Sequence, residues 1–153
     1  MITDHTDGIR KTLDLARSVS SDEVPVAAIV ADASGYILGT STNRVFEQDD
    51  PSAHAEIEVI RELGRSSVLL GRAELTMYVN LEPCPMCAWA IGSIGFGRLI
   101  FGSYNPIYGA CGSVFDLIRD SRFGGNTEVI GGVLEEECSQ LLNSFWKRLR
   151  DNS

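Results

Sequence analysis

Short β-rich runs alternate with segments of helical periodicity along most of this chain. Residues 24–32 (VPVAAIVAD) and 36–42 (YILGTST) are separated only by Ala-Ser-Gly, which predicts a β-hairpin. Further strands are predicted at 75–81, 98–103 and 127–132. Strands that alternate with helices favour a mixed sheet with helices on both faces. We therefore predict an α/β fold with three α/β/α layers around a five-stranded mixed sheet.

Helical patterns fill most of the remaining chain, and we expect four or five helices. Ile9, Leu13 and Ala16 recur at helical spacing, which is typical of an amphipathic helix. The residues Asp49-Asp50-Pro51 are expected to interrupt regular secondary structure. Ser52 follows them and is the expected N-cap of the next helix. The predicted helices cover residues 7–19, about 53–65, 84–94, about 114–119 and 135–150.

The length of 153 residues suits a single domain that spans residues 1–153. No apolar run reaches the roughly 18 residues that a membrane helix requires, and the polar N-terminus lacks the apolar stretch of a signal peptide. We therefore expect a cytoplasmic protein with no membrane segment. In that reducing compartment, four cysteines favour metal binding or free thiols over disulfides. Cys111 and Cys138 stand alone and are expected to be small buried hydrophobes.

Two short segments place possible metal ligands at the starts of predicted helices. His54 and Glu56 begin one helix. Cys84 and Cys87 form a C-x-x-C pair at the start of another, where Pro85 suits the first helical position. The free N–H groups at a helix start favour thiolate and carboxylate side chains. If both helices pack on one face of the sheet, their first turns converge on a single site.

One imidazole and two thiolates suit zinc, with the fourth position left for water. On a regular helix His54 and Glu56 point about 200° apart, so they cannot both bind a metal against the side of the helix. The favoured hypothesis has His54, Cys84 and Cys87 as zinc ligands and Glu56 as a base beside the water. The open fourth position makes this a catalytic pattern.

Other interpretations of these residues are available. A C-x-x-C pair alone is also typical of a redox site or of half a structural zinc site. A redox pair leaves His54 and Glu56 unexplained. A structural site needs a fourth ligand, for which only His5, Cys111 and Cys138 remain. A non-catalytic, zinc-stabilised partner subunit is a third alternative, but such a module has no use for Glu56.

The two segments match the H-x-E and P-C-x-x-C signature of zinc nucleobase deaminases, as His54-Ala55-Glu56 and Pro83-Cys84-Pro85-Met86-Cys87. The chain therefore resembles the cytidine deaminase superfamily. Within it, the chain is most similar to bacterial tRNA adenosine deaminases, on DEVPVAAIV, TNR, MYVNLEPCPMCAWAI, GRLIFG, GACGSVFDL and GGVLEEECSQLLNSFWKR. The match covers nearly the whole chain. Many deaminases share the zinc signature, so it does not identify the substrate, and the segment from Gly109 onward distinguishes better between the members of the superfamily.

The resemblance implies one zinc ion per chain, held by His54, Cys84 and Cys87, with Glu56 as the proton carrier. The implied reaction is hydrolytic deamination of adenosine to inosine at the wobble position of a tRNA, with the anticodon loop as the bound partner. The resemblance also implies a homodimer. The candidate contact face is the helix at 85–95, with Trp89, Ile91 and Ile94.

Substrate contacts are expected outside the metal site. The resemblance gives Asn43 a hydrogen bond to the extruded base, because an amide can both donate and accept. Val26 is an expected apolar wall, and a backbone N–H near Ala55 is expected to position the water. The rings of Tyr104 and Tyr108 suit stacking on unpaired bases. The predicted substrate-binding residues are Val26, Asn43, Ala55, Tyr104, Asn105 and Tyr108.

The charge of the chain favours a second function. A net charge of −8 works against attraction to phosphate backbones. Ile107 and Tyr108 stand where the family usually has a basic residue, Gly124-Gly125-Asn126 replaces a frequent Asn-His-Arg, and the zinc-site helix lacks a basic end. The alternative is deamination of a free nucleobase or nucleoside such as guanine. For RNA binding, the chain offers the basic C-terminal residues Lys147, Arg148 and Arg150.

Overall fold

The structure is a computed structural model that describes residues 1–64 and 72–153. Five strands and five α-helices are present in these ranges. In chain order they are α1 (His5–Ala16), β1 (Ala27–Ala31), β2 (Ile37–Thr42), α2 (Val45–Gln48), α3 (Ala55–Gly64), β3 (Thr76–Leu81), α4 (Pro85–Ile94), β4 (Arg98–Ser103), β5 (Glu128–Ile130) and α5 (Glu135–Asp151).

The strands form one mixed sheet in the order β2-β1-β3-β4-β5. Strand β1 pairs antiparallel with β2 and β3, and β4 pairs parallel with β3 and β5. The β1–β2 hairpin turns at Gly35, whose φ of 88° favours a residue without a Cβ atom. The predicted hairpin and five-stranded mixed sheet are confirmed.

Helices cover both faces of the sheet. Helix α1 contacts β1, β3 and β4, and α5 contacts β4, with Ile9, Leu13 and Cys138 in one buried cluster. On the opposite face, α3 contacts β1, β2 and α4, and the cluster there includes Val59 and Ile91. These layers confirm the predicted α/β/α arrangement. They also place the first turns of α3 and α4 on the same face.

The predicted short helix around residues 114–119 is wrong. The N–H groups of Val114 and Phe115 donate to the carbonyl of Gly109, at 3.0 and 2.9 Å, and Leu117 N–H donates to Ala110 at 2.9 Å. The segment therefore folds back on the preceding loop. A short 3-10 helix forms only afterwards, at Ser121–Phe123.

The predicted N-cap of α3 is also wrong. The Ser52 hydroxyl donates to Asp50 Oδ1 at 2.7 Å, and the helix begins at Ala55. His54 takes the capping position, because its carbonyl accepts the N–H of Glu58 at 2.9 Å. At the other end, residue 65 of the predicted helix lies outside the described residues.

Two further predictions concern the burial of the two cysteines outside the C-x-x-C pair and the contact face on α4. Cys111 and Cys138 are buried free thiols, as predicted. Ile91 is fully buried and Ile94 is partly buried against the core, so Ile91 is not part of a contact face. Trp89 remains 54% exposed.

Within the described ranges, no helix is long and apolar enough to cross a membrane.

Candidate active site

His54 lies immediately before α3, not on its side. Its N–H donates to the Ser52 carbonyl at 2.8 Å, and its own carbonyl starts the helix. Glu56 follows in the first turn. Because His54 precedes regular helical geometry, the two side chains can reach one cavity despite their spacing, and both line the same cavity.

Cys84 holds the corresponding position at the start of α4. Its backbone is extended, with φ −73° and ψ 174°, and its carbonyl accepts the N–H of Ala88 at 2.8 Å. Pro85 occupies the first turn, where its missing N–H costs no helical hydrogen bond. Cys87 completes that turn and is fully buried. The local sequence therefore directs both thiols toward the helix start.

The geometry of the three predicted ligands fits zinc. The Sγ atoms of Cys84 and Cys87 lie 3.6 and 3.5 Å from Nδ1 of His54. All three ligand atoms lie within 4.8 Å of one another. Tetrahedral zinc, with Zn–S of about 2.3 Å and Zn–N of about 2.0 Å, places sulfur and nitrogen about 3.5 Å apart. The site thus suits zinc bound through Nδ1 of His54.

The charges of the two thiols differ. Hydrogen bonds from Cys87 and then from His54 lower the pKa of Cys84 to about 4, although burial opposes this shift. The neighbouring Cys84 sulfur and burial raise the pKa of Cys87. A hydrogen bond to Cys84 also raises the pKa of His54. Without metal, Cys84 is therefore the thiolate, and zinc binding at both sulfurs displaces a proton.

Glu56 is a buried carboxyl group, 4% exposed, beside the metal ligands. Burial raises the pKa of Glu56 above its ordinary value, because a low-dielectric environment disfavours the charged form. A raised pKa brings a carboxyl group closer to neutral pH, where it can both take up and release protons. This is the property that a proton carrier needs.

The ligands open onto a cavity of about 480 Å³. Five of the six predicted substrate-binding residues line this cavity: Val26, Asn43, Ala55, Asn105 and Tyr108. Tyr104 lies outside it and packs edge-on against Phe101, with ring centroids 5.3 Å apart. Tyr104 instead lines an adjoining cavity of about 510 Å³, which shares Asn105 and Tyr108 with the first. The structure thus brings together all the predicted site residues except Tyr104.

The C-terminal helix supplies cavity residues that the sequence analysis did not identify. Phe145, Trp146 and Leu149 of α5 line the cavity, together with Phe46 from α2. Phe145 is buried in the core, whereas the other three are exposed. The sequence of α5 predicted an amphipathic helix, and this pattern does not indicate that the end of the helix lines the cavity. The cavity wall is largely apolar and aromatic, which suits the faces of a flat ring.

Two buried carboxylates near the cavity were also missed. Glu82, 1% exposed, precedes the C-x-x-C segment and accepts the backbone N–H groups of Asn105, Cys111 and Ser113 at 3.0, 3.0 and 3.1 Å. It also accepts the Ser113 hydroxyl. Glu23, 4% exposed, contacts Asn43 and the start of α2. A glutamate directly after the apolar strand at 75–81 was the available signal for Glu82, whereas Glu23 follows Ser20-Ser21-Asp22 and gave no such signal.

The fold and the site together define a class of protein. A layered α/β/α domain brings one imidazole, two thiolates and a buried carboxyl group to a single cavity. Three protein ligands and an open fourth position are typical of a catalytic zinc site that activates water. This is the arrangement of a zinc-dependent hydrolytic enzyme.

Comparisons with known proteins agree with this class and narrow it. A family model of the cytidine and deoxycytidylate deaminase zinc-binding region matches residues 2–103. The chain belongs to this family. The tRNA-specific adenosine deaminase of Haemophilus influenzae is 39% identical over 144 residues, which are 94% of this chain and 83% of that protein. The enzyme of the same description from Bacillus subtilis is 37% identical over 128 residues, covering 84% and 79% of the two chains.

A solved structure of a related protein has the same fold as this chain. It comes from studies of A-to-I editing by tRNA:A34 deaminases at the wobble position of transfer RNA. Its TM-score is 0.79 at 35% sequence identity, over 90% of this chain and 99% of that chain. The resemblance and the fold predicted from the sequence are therefore confirmed.

Proposed function

We propose that the protein deaminates adenosine to inosine at the wobble position of a tRNA anticodon loop, using one zinc ion per chain. The observation that carries this proposal is the cavity itself. It combines a zinc-type ligand set, a buried carboxyl group and an apolar, aromatic wall suited to an extruded base. The similarity to tRNA-specific adenosine deaminases over most of the chain supports the choice of substrate.

The residues of the chain divide the reaction between them. Bound zinc would supply a Lewis acid that activates water for attack on C6 of adenine. Glu56 would take up a proton from the nucleophile and return it to the departing ammonia, so that adenosine and water give inosine and ammonia. Val26 and Asn43, which line the cavity, would hold the base there.

RNA binding needs cations near the cavity, and α5 offers them. Among the described residues, neither Lys147 nor Arg150 forms an ion pair with an acidic side chain, and Arg150 lines the adjoining cavity. Arg148 is partly engaged, because it donates to the Ser21 carbonyl at 3.2 Å and lies over the Phe145 ring. A basic helix end therefore lies beside the proposed base pocket, although the net charge of the chain is −8.

The proposal includes a cytoplasmic homodimer. Free thiols at Cys111 and Cys138 suit a reducing compartment. On α4, Trp89 and Met86 remain exposed at 54% and 38%, beside the helix start that carries the metal ligands. Aromatic residues and Met are enriched at protein interfaces relative to the rest of the surface. A partner chain at this face would lie close to the cavity and could help to shape it.

One experiment separates this function from its alternative. Zinc-loaded protein is incubated with a tRNA anticodon stem-loop that carries adenosine at the wobble position, and separately with guanine, adenosine and cytidine. We expect inosine from the stem-loop and little ammonia from the free compounds. If the stem-loop gives no inosine while guanine releases ammonia at an ordinary enzymatic rate, the protein is a free-base deaminase and the proposed substrate is wrong.

A further inference from the structure

Asn80 is a fully buried amide near the end of β3, and it bonds to the segment that leads into β1. Its Nδ2 donates to the Pro25 carbonyl at 2.9 Å, and its Oδ1 accepts the backbone N–H of Ala27 at 2.8 Å. These two hydrogen bonds, which we call the Asn80 clamp, join parts of the chain that are more than 50 residues apart. One side chain therefore holds the backbone on both sides of Val26.

The clamp stands where the regular pairing of β1 with β3 stops. The register between the two strands ends with Ala28 opposite Val79. In a continued ladder, the Ala27 N–H would bond to the backbone carbonyl of residue 80, but it bonds to the Asn80 side chain instead. Pro25 has no N–H, and its carbonyl accepts the other end of the same amide. The side chain therefore takes over the pairing at this end of the sheet.

Val26, which lies between the two clamped residues, is part of the cavity wall. It is 7% exposed and lines the cavity together with Asn43. The Val26 N–H bonds to the Val24 carbonyl at 2.8 Å, and the Val26 carbonyl accepts the backbone N–H of Asn43 at 2.9 Å. Asn80 itself does not line this cavity. A shift of the clamped segment would therefore move two wall residues, although the amide that holds the segment does not touch the substrate.

We propose that Asn80 is a positioning residue that sets where Val26, and with it the Asn43 backbone, stand in the base pocket. The inference rests on the proposed function, because it takes the cavity to bind a purine base. An apolar wall discriminates between two rings by the room that it leaves, so it rejects a larger ring only as well as its own position is fixed. Two hydrogen bonds from a buried amide fix that position at a point where the strand ladder no longer does.

Asn80→Leu is the direct test of the clamp. Leucine has the same branching of heavy atoms but no hydrogen-bonding group, so the Pro25 carbonyl and the Ala27 N–H lose their partner. These two backbone groups must then move to find another partner, and Val26 moves with them. The midpoint of urea unfolding should fall. Zinc content should stay near one ion per chain, because both clamp bonds go to the segment around Val26 and not to the metal ligands.

The decisive readout is a ratio of two substrates, because a loss of folded protein lowers both rates equally. The stem-loop carries at the wobble position either adenosine or the riboside of 2,6-diaminopurine, whose extra amino group needs more room. Hydrolysis gives inosine or guanosine, each with ammonia. In Asn80→Leu we expect kcat/KM for adenosine to fall about 10- to 100-fold, and the preference for adenosine to fall at least about fivefold. An unchanged preference in the folded, zinc-loaded variant would overturn the proposal.

A double-mutant cycle tests whether the effect passes through Val26. Val26→Ala truncates the side chain that the clamp places, so adding Asn80→Leu to it should change the preference by less than about twofold. The same change in both backgrounds would mean that Asn80 does not act through Val26, and the proposal would be wrong.

Thr127→Val is the matched control. It removes another buried hydrogen bond from a side chain to the backbone, in which the Thr127 hydroxyl donates to the Phe96 carbonyl at 2.8 Å. Thr127 precedes β5, whereas Cys84 follows β3, and these strands run parallel through β4. The control therefore lies at the opposite edge of the sheet from the metal ligands. Its unfolding midpoint should fall while its preference for adenosine stays within about twofold.

Two further measurements cover a variant that does not fold and a different substrate. Asn80→Asp keeps an acceptor for the Ala27 N–H and loses the amide donor to Pro25, so it should lower the preference by a smaller factor than Asn80→Leu. In the unmodified protein, the Ala27 N–H should exchange slowly with solvent. Exchange as fast as in an exposed loop would show that the clamp is absent and would overturn the proposal. Should only guanine be deaminated, the proposed function is wrong, but the same cycle, measured as kcat/KM on guanine, still decides the role of Asn80.

Discussion

The carboxylate of Glu82 accepts the backbone N–H of Cys111 at 3.0 Å, although 29 residues separate them in the sequence. Asn105 and Ser113 donate to the same carboxylate, and the N–H of Ala110 bonds to the carbonyl of Pro83 at 2.9 Å. The segment that carries Cys84 and the loop that carries two cavity residues are therefore held together as one unit.

Glu82→Gln should destabilise the protein. An amide has only one accepting oxygen, so at least two of the donors now on the carboxylate would face an NH₂ group, at about 1–3 kcal/mol for each unsatisfied buried donor. Urea unfolding of the zinc-loaded protein measures the loss of unfolding free energy. Ser113→Ala removes one hydroxyl donor and should cost less. Equal losses in both variants would contradict the idea that Glu82 holds the loop.

Cys87→Ser should lose zinc, because a serine hydroxyl is a poor ligand in place of a thiolate. Metal analysis should find about one zinc ion per chain in the unmodified protein and a small fraction of that in the variant. Cys138→Ser replaces another buried thiol on the far face of the sheet and should keep full occupancy. Removal of zinc with a chelator should abolish turnover, and added zinc should restore it. Full zinc occupancy in Cys87→Ser would exclude this ligand set.

Glu56→Ala should keep zinc and lose turnover. A positioned proton carrier contributes about 10²–10⁴-fold, so kcat should fall by that range. Glu58→Gln is the control on the same helix, since Glu58 pairs with Arg61 at 2.9 Å outside the cavity. Single-turnover rates and zinc content should be measured together. A near-normal rate in a zinc-loaded Glu56→Ala protein would remove Glu56 from the mechanism.

Tyr108→Ala should weaken binding of the stem-loop by about 1–3 kcal/mol, the usual contribution of one base stack. Tyr108 is 62% exposed at the edge of the cavity. Tyr104→Ala should have a smaller effect, because Tyr104 packs against Phe101 outside that cavity. The control is Tyr36→Ala, which removes an equally exposed tyrosine (60%) from the distant hairpin. Binding is measured by fluorescence anisotropy, and an equal loss for Tyr36 and Tyr108 would argue against stacking.

The salt dependence of the same binding should be shallow. Each phosphate contact on single-stranded RNA releases about 0.7 counterion. Three cations at the end of α5 therefore give a slope of about −2 when the logarithm of the association constant is plotted against the logarithm of the salt concentration. Lys147→Ala should make that slope shallower by about 0.7. A slope several times steeper would mean that phosphates are bound elsewhere on the chain.

The sequence predicted the sheet and the metal ligands because both depend on local patterns. Strand β4 follows directly from RLIFGS, and the ligands follow from side chains at fixed spacings before two helix starts. The back-folded segment at 114–119 could not be predicted in this way. Its apolar residues fit a helical period, but its N–H groups bond to the carbonyls of Gly109 and Ala110 instead of forming a helix.

The roles of Glu23 and Glu82 were missed for a related reason. Their hydrogen-bond partners lie between 20 and 31 residues away, in loops and at the start of a short helix. Such contacts have no sequence period. Only the three-dimensional course of the chain brings a buried carboxylate to its donors, whereas the zinc ligands are arranged by two turns of helix.

The wall of the cavity and the metal centre come from different stretches of the chain. The ligands and Glu56 belong to the starts of α3 and α4, whereas Glu23, Asn43 and the end of α5 form other parts of the wall. This separation makes the protein a convenient scaffold for redesign. Libraries confined to the wall can alter which ring is accepted while every variant inherits an intact reactive centre, so that selection for a new substrate need not rediscover the chemistry.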